Sequence, residues 1–340
     1  MLNKQINLVK RPTGDAKLDN FELVEQVVPA LEDGDVLVKI HYVSVDPYML
    51  YRMYEMEGYV DNITLNDGVD AFAVGEVLES RNADYQQGDF VTGMLDWGCY
   101  AVAKGGVDRL GMPINKVPGP EFAPLSYHLG ILGMPGATAY IGIETILEPK
   151  EGETVFITAA SGAVGTVVGQ IAKSMGCHVV GSAGADDKVE LLTSKFGFDA
   201  AFNYKTVSDY DAKIKELCPD GIDCSFENTG GDVAQAVFNN LNHLGRMAVC
   251  GAIAEYGKEG EGITGPSFNS YCGRNVRVQS FLVSDHFDLW EEWSGKGSEL
   301  LQQGKLVYEE TSIEGVENIP QAFLDMMIGK AKGKVVVKVA

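Results

Sequence analysis

The first residues in this chain with a chemical use are small ones. A short apolar run, Thr154-Val155-Phe156-Ile157-Thr158, is followed by Ala159-Ala160-Ser161-Gly162-Ala163-Val164-Gly165, and then by a segment of helical period from Val164 to Met175. Compact residues between a strand and a helix let the backbone turn tightly and approach a pyrophosphate. The amides and dipole of the helix N-terminus favour that anion. Gly162, Ala163, Val164 and Gly165 are therefore candidate dinucleotide-binding residues, on the strength of the strand–turn–helix setting rather than of the glycines alone.

The next strand decides between the two nicotinamide cofactors. Cys177-His178-Val179-Val180-Gly181 runs into Ser182-Ala183-Gly184, with no acid at the tip. An acid there, about 20 residues after the glycines, would take a ribose 2′-hydroxyl. Lys188 follows instead, and Tyr204 ends the strand after that. A cation and a hydroxyl suit a 2′-phosphate, so the expected cofactor is NADPH. Asp186 and Asp187 read as capping and first-turn charge on the helix that carries Lys188.

Other chemistries lack their residues. Zinc sites need thiolates, histidines or carboxylates at ligand spacing. The six cysteines, at 99, 177, 218, 224, 250 and 272, form no close pair, and the histidines at 41, 128, 178, 243 and 286 have no partner motif. Free thiols are expected, with neither metal nor disulfides. A net charge of −21 argues against nucleic acid. The chain shows no apolar run long enough to span a bilayer, and its first residues, MLNKQINLVKRPTG, have no apolar signal core, so the expected location is the cytoplasm.

These residues need elements to hold them. Up to about residue 125 the chain reads as β-rich, with runs at Val36–Val45, Phe72–Leu78 and Phe90–Thr92 between turn signals such as Gln87-Gly88-Asp89. Residues 127–147 read as helical stretches broken by a turn at Met134-Pro135-Gly136. Strands and helices then alternate: helix at Lys188 to Phe196, and strands at Ala200–Phe202, Ile222–Phe226 and Arg246–Cys250. That is the pattern of a doubly wound parallel sheet. Ile319–Ile328 reads as helix and Gly333–Val339 as a strand with no place in the parallel series, so it is assigned to the first domain. The expected domains are 1–125 with 310–340, and 126–309.

Several stretches carry a family likeness. They include Arg11-Pro12-Thr13-Gly14, Val45-Asp46-Pro47-Tyr48-Met49, the run Leu132 to Tyr140, Val167 to Lys173, Gly197 to Lys205, Asn228-Thr229-Gly230-Gly231 and Cys250 to Tyr256. Over nearly its whole length the sequence resembles the zinc-independent medium-chain dehydrogenase/reductase group of prostaglandin reductases, leukotriene B4 12-hydroxydehydrogenases, plant double-bond reductases and bacterial curcumin reductases. The resemblance implies an α/β fold: a GroES-like β-barrel domain plus a Rossmann domain, with NADPH in the cleft between them, usually in a homodimer. It implies that Gly162–Gly165 lie on the pyrophosphate and that Lys188 and Tyr204 take the 2′-phosphate end. Asn228 and Cys250, Gly251, Ala252, Ile253 and Tyr256 would line the adenosine and nicotinamide side. Phe281, Leu282 and Val283 would cross near the nicotinamide amide. Three departures stand out. Met49-Leu50-Tyr51-Arg52-Met53 replaces Met-Arg-Gly-Arg-Met, and Glu227-Asn228-Thr229 replaces Asp-Asn-Val. Ala331 stands where the Gly-Lys-Asn-x-Gly-Lys motif has Asn.

The reaction implied is reduction of the carbon–carbon double bond of an enone or enal, with hydride going to the β-carbon. The charge then developed on the carbonyl oxygen needs a donor. A phenol protonated at neutral pH can supply it. Tyr256, just past the strand end at Cys250-Gly251, is the first candidate, because open α/β sheets place ligands at strand carboxyl ends. Tyr48 is second, and Tyr51 and Tyr271 are weaker. The alternatives are an NADPH:quinone reductase, which differs in acceptor, and a non-catalytic NADPH-binding protein. One measurement follows: purified protein is expected to hold no stoichiometric zinc, and chelators to leave turnover intact. Elemental analysis showing about one zinc per chain, with activity lost on its removal, overturns the zinc-free assignment.

Overall fold

The computed structural model describes residues 1–55, 58, 60–256 and 271–339. The chain divides into two compact units, Met1–Gly130 with Glu310–Ala340, and Ile131–Glu309.

The first unit is largely antiparallel. β1 (Leu2–Leu8) lies between β2 (Phe21–Val27) and a short β4 (Asp67–Gly68). A larger sheet is built on β3 (Val36–Ser44), which pairs with β5 (Asp70–Ser80) and β7 (Tyr100–Ala103). β5 pairs with β6 (Phe90–Asp96), and β6 with β8 (Asn115–Val117). Between β3 and β4, α1 (Tyr48–Met53) starts directly after Pro47 and buries Met49, Leu50, Arg52 and Met53. Arg52 is held inside by Asp70, with Nη2 2.7 Å from Oδ2, and by the Asp61 carbonyl, 2.9 Å from Nε.

The second unit is a doubly wound sheet. Its elements are α2 (Met134–Gly142), β9 (Thr154–Ile157), α3 (Gly165–Ser174), β10 (His178–Ala183), α4 (Asp186–Ser194), β11 (Ala200–Asn203), α5 (Tyr210–Leu217), β12 (Ile222–Glu227), α6 (Gly231–Asn239), β13 (Leu241–Val249), β14 (Arg277–Ser280) and α7 (Phe287–Gln302). Six parallel strands lie in the order β11-β10-β9-β12-β13-β14. Every residue of β9 is buried, which is why it reads as an unbroken apolar run. The order reverses between β9 and β12, and a ligand crevice opens beyond the strand ends at that point in such sheets.

One reading is corrected here. Met134-Pro135-Gly136 does not break a helix; it opens α2. Pro135 occupies the first turn, where no amide partner is required. A Cβ on Gly136 would stand 1.9 Å from the Ile131 carbonyl oxygen, so glycine there serves a close approach. That carbonyl also accepts from Trp293 Nε1 at 2.8 Å.

The chain then returns to the first unit through β15 (Glu310–Glu314), α8 (Ile319–Met327) and β16 (Lys334–Lys338). β16 pairs with β15 and, antiparallel, with β3, with Val336 opposite Ser44. Lys334 opens that strand and is 1% exposed. Its ammonium donates to Asp46 Oδ1 at 3.0 Å, the Val45 carbonyl at 3.0 Å and the Val335 carbonyl at 2.8 Å, while the Ser44 hydroxyl donates to Asp46 Oδ2. Lys334→Met leaves the Asp46 carboxylate buried without its cation and is expected to cost about 3–5 kcal/mol, with part recovered by Asp46→Asn in the double variant. Denaturant titration checks this, and an unchanged midpoint for Lys334→Met overturns it.

Candidate active site

β9 ends at Ile157, and the chain turns through Thr158 to Gly165 into α3. Ala159 adopts a left-handed backbone, φ 46°, and its carbonyl accepts the Gly162 amide at 3.0 Å. A Cβ on Gly165 would stand 2.7 Å from Ala160 Cα and 2.7 Å from its carbonyl oxygen, so only glycine closes this turn. At Gly162 the space is less restrictive, with one contact at 3.3 Å. The first turn of α3 carries no acidic side chain, leaving its positive end available to an anion.

The tip of β10 fits a 2′-phosphate better than a 2′-hydroxyl. A Cβ on Gly184 would stand 2.9 Å from the Tyr204 hydroxyl, so the phenol tip lies against the strand end. The Tyr204 amide donates to the Ala183 carbonyl at 3.0 Å, which fixes the approach. Lys188, in the first turns of α4, is 7% exposed. Asp186 accepts from Asn203 Nδ2 at 2.8 Å; it and Asp187 are first-turn charges on α4, whose N-cap is Ala185. Lys205 lies 6.0 Å from the Tyr204 ring centroid and adds a second cation. It stands inside a motif quoted from the sequence, where adjacency to Tyr204 was the available signal.

On the other side of the switch point, Asn228 is fixed by the residue that follows β9. Its Nδ2 donates to the Thr158 carbonyl and its amide to Thr158 Oγ1, both at 2.8 Å. The Cys250 and Gly251 amides donate to the Glu227 carbonyl at 2.8 and 3.2 Å. A short helical turn, Ile253–Glu255, then leads to Tyr256, whose hydroxyl would be 3.6 Å from a Cβ on Gly251. Asn228, Cys250, Gly251 and Tyr256 thus come together at the ends of β12 and β13. Phe281 packs edge-on to Phe226, centroids 6.1 Å apart, with Leu282 and Val283 following it. Burial pushes the Cys250 thiol up to about 12, and the neighbouring Glu227 adds to the rise. Burial also raises the Glu227 carboxyl, against the Thr229 and Gly230 amides that pull it down.

The other tyrosines lie on other elements. Tyr271 packs on Phe238, centroids 4.8 Å apart, against the core under α6. Tyr48 and Tyr51 are half-buried on α1 of the first unit. Leu50, at the first departure from the family motif, is 3% exposed and serves as core.

Fold and turn together define a dinucleotide-dependent oxidoreductase. Residues 4–108 match a family described as the N-terminal domain of oxidoreductase, and residues 163–303 one described as zinc-binding dehydrogenase. A 2-alkenal reductase (NADP(+)-dependent) of Nicotiana tabacum is 42% identical over 99% of this chain and 98% of its own length, and a (+)-pulegone reductase of Mentha piperita is 39% identical over 100% and 99%. CurA from Vibrio vulnificus, solved in complex with NADPH, superposes with a TM-score of 0.92 at 34% identity, covering 99% of both chains. This chain belongs to the medium-chain dehydrogenase/reductase superfamily, in its zinc-independent reductase group. One matched family is described by zinc, but among the described residues no three His, Cys, Asp or Glu side chains group to hold a metal.

The Lys188–Tyr204 end generates a binding prediction. Lys188→Ala is expected to weaken 2′,5′-ADP by about 1.5–3 kcal/mol, the worth of a charge-assisted hydrogen bond, and to leave NADH use nearly unchanged. Calorimetry with 2′,5′-ADP checks it, and unaltered affinity removes Lys188 from the phosphate site.

Proposed function

We propose that this protein uses NADPH to reduce the carbon–carbon double bond of α,β-unsaturated ketones and aldehydes, as a cytosolic homodimer. The observation that carries the reading is the Tyr256 hydroxyl beside Gly251, at the carboxyl ends of β12 and β13, on the side of the switch point where the nicotinamide would lie. The names of the tobacco and mint relatives support the substrate class, and the acid-free tip of β10 with Lys188 and Tyr204 supports the cofactor.

Bound NADPH would supply the hydride that an enone takes at its β-carbon. The Gly162–Gly165 turn would hold the pyrophosphate and Lys188 the 2′-phosphate. Tyr256 would donate to the carbonyl oxygen as charge gathers there, and either it or water would give the α-carbon its proton. The product is then a saturated carbonyl compound. Tyr48 would shape the pocket. The homodimer reading is supported by β14, which pairs with β13 on one side, lies last in the strand order among the described residues, and has all four residues exposed, a position that suits pairing with a second copy. The cytosolic reading is supported by six free cysteines.

Deuteride from labelled NADPH is expected at the β-carbon of a saturated ketone or aldehyde. An allylic alcohol as main product refutes the reaction class. Tyr256→Phe should lower kcat by roughly ten- to a thousandfold with binding little changed, and Tyr48→Phe should cost less. Wild-type kcat in Tyr256→Phe removes only the donor assignment.

A further inference from the structure

One carboxylate oxygen clasps the switch point. Glu227 Oε1 accepts the Thr158 hydroxyl at 2.8 Å, the Thr229 amide at 2.6 Å, the Thr229 hydroxyl at 2.9 Å and the Gly230 amide at 2.9 Å. The Thr158 hydroxyl receives the Asn228 amide in turn, and the Glu227 carbonyl receives the amides of Cys250 and Gly251. A single residue, 3% exposed, therefore joins the end of β9, the loop after β12 and the start of the segment that carries Tyr256.

Such an arrangement is more than a loop tether. Gly230 and Gly231 are consecutive left-handed residues, φ 70° and 65°, so the loop would not keep this course through backbone preference alone. Burying an acid is costly unless its donors are fixed, and here they come from the residues just past the ends of β9 and β12. All the polar contacts named run to the β9–β12 junction and to the β13 side. None runs to the ends of β10 and β11 or to α4, where Gly184, Tyr204 and Lys188 lie.

We infer that Glu227 is a positioning residue for the nicotinamide half of the cofactor crevice, setting Asn228 and the Cys250–Tyr256 segment through its clasp on Thr158 while leaving the 2′-phosphate half alone. The turnover arm of the test rests on the proposed function; the binding arm does not.

The test compares two probes by calorimetry: 2′,5′-ADP, which carries only the adenosine and 2′-phosphate end, and NADPH. In Glu227→Ala, NADPH is expected to bind about tenfold more weakly and 2′,5′-ADP within about twofold of wild type, as loss of a charge-assisted hydrogen-bond cluster on one side predicts. Enone turnover should fall by about tenfold or more, with the isosteric Glu227→Gln, which keeps an acceptor oxygen, in between. Equal weakening of both probes shows a general structural role and overturns the inference. So does a folded Glu227→Ala that keeps wild-type NADPH affinity and kcat. If Glu227→Ala does not fold, Thr158→Val, which removes the clasp from the other side, is read by the same affinity ratio. Wild-type protein that binds NADPH but reduces no enone defeats the proposed function and leaves that ratio to decide the inference.

Discussion

An ammonium group sealed from water is tolerable only when oxygens surround it, and Lys334 meets that condition with Asp46 and two backbone carbonyls. The partners lie 288 residues apart in the chain. Their pairing draws β16 against β3 and so makes the last strand part of the first unit. Because Asp46 directly precedes Pro47 and α1, the same contact sets where Tyr48 leaves the sheet. A second buried pair, Arg52 with Asp70, holds the other end of α1. The short helix carrying the second candidate tyrosine is thus pinned by ionic contacts at both ends.

The second unit is organised by contact distance rather than by charge. A Cβ on Gly169 would stand 2.2 Å from the Phe198 ring, and one on Gly165 would strike the backbone of Ala160. α3 therefore lies close on the sheet, with its N-terminus at the end of β9. Polar contacts enter where the strand order reverses, at Thr158, Glu227 and Asn228. Apolar packing builds the platform, and a small hydrogen-bonded junction shapes its rim.

What could be read from the sequence follows from how local each signal is. β9, α3, β10 and α4 were legible because buried parallel strands are short apolar runs and the helices between them have their own period. The places of Lys188 and Tyr204 in the fold were legible for the same reason, since strand ends locate them. Met134-Pro135-Gly136 misled because a proline-glycine pair signals a turn locally, whereas the space around Gly136 is set by Ile131 and Trp293. Tyr271, a weaker candidate by residue type, has its ring against Phe238, a long-range contact that no local pattern signals. The replacement of Asp-Asn-Val by Glu227-Asn228-Thr229 alters two side chains in sequence. In the fold it is one device: the Thr229 hydroxyl donates to Glu227, while Glu227 and Asn228 both meet Thr158, some 70 residues upstream. No pattern within a strand or helix carries that information.

Burial has one more chemical outcome. The thiols of Cys99, Cys177, Cys218, Cys224 and Cys250 are all pushed upward by it, Cys218 and Cys250 to about 12. Only the thiolate is an effective nucleophile. Conjugated enones are Michael acceptors that alkylate thiolates, and Cys250 stands beside the residues proposed to receive them. Burial thus disfavours the thiolate at Cys250, the form that would add to such an acceptor.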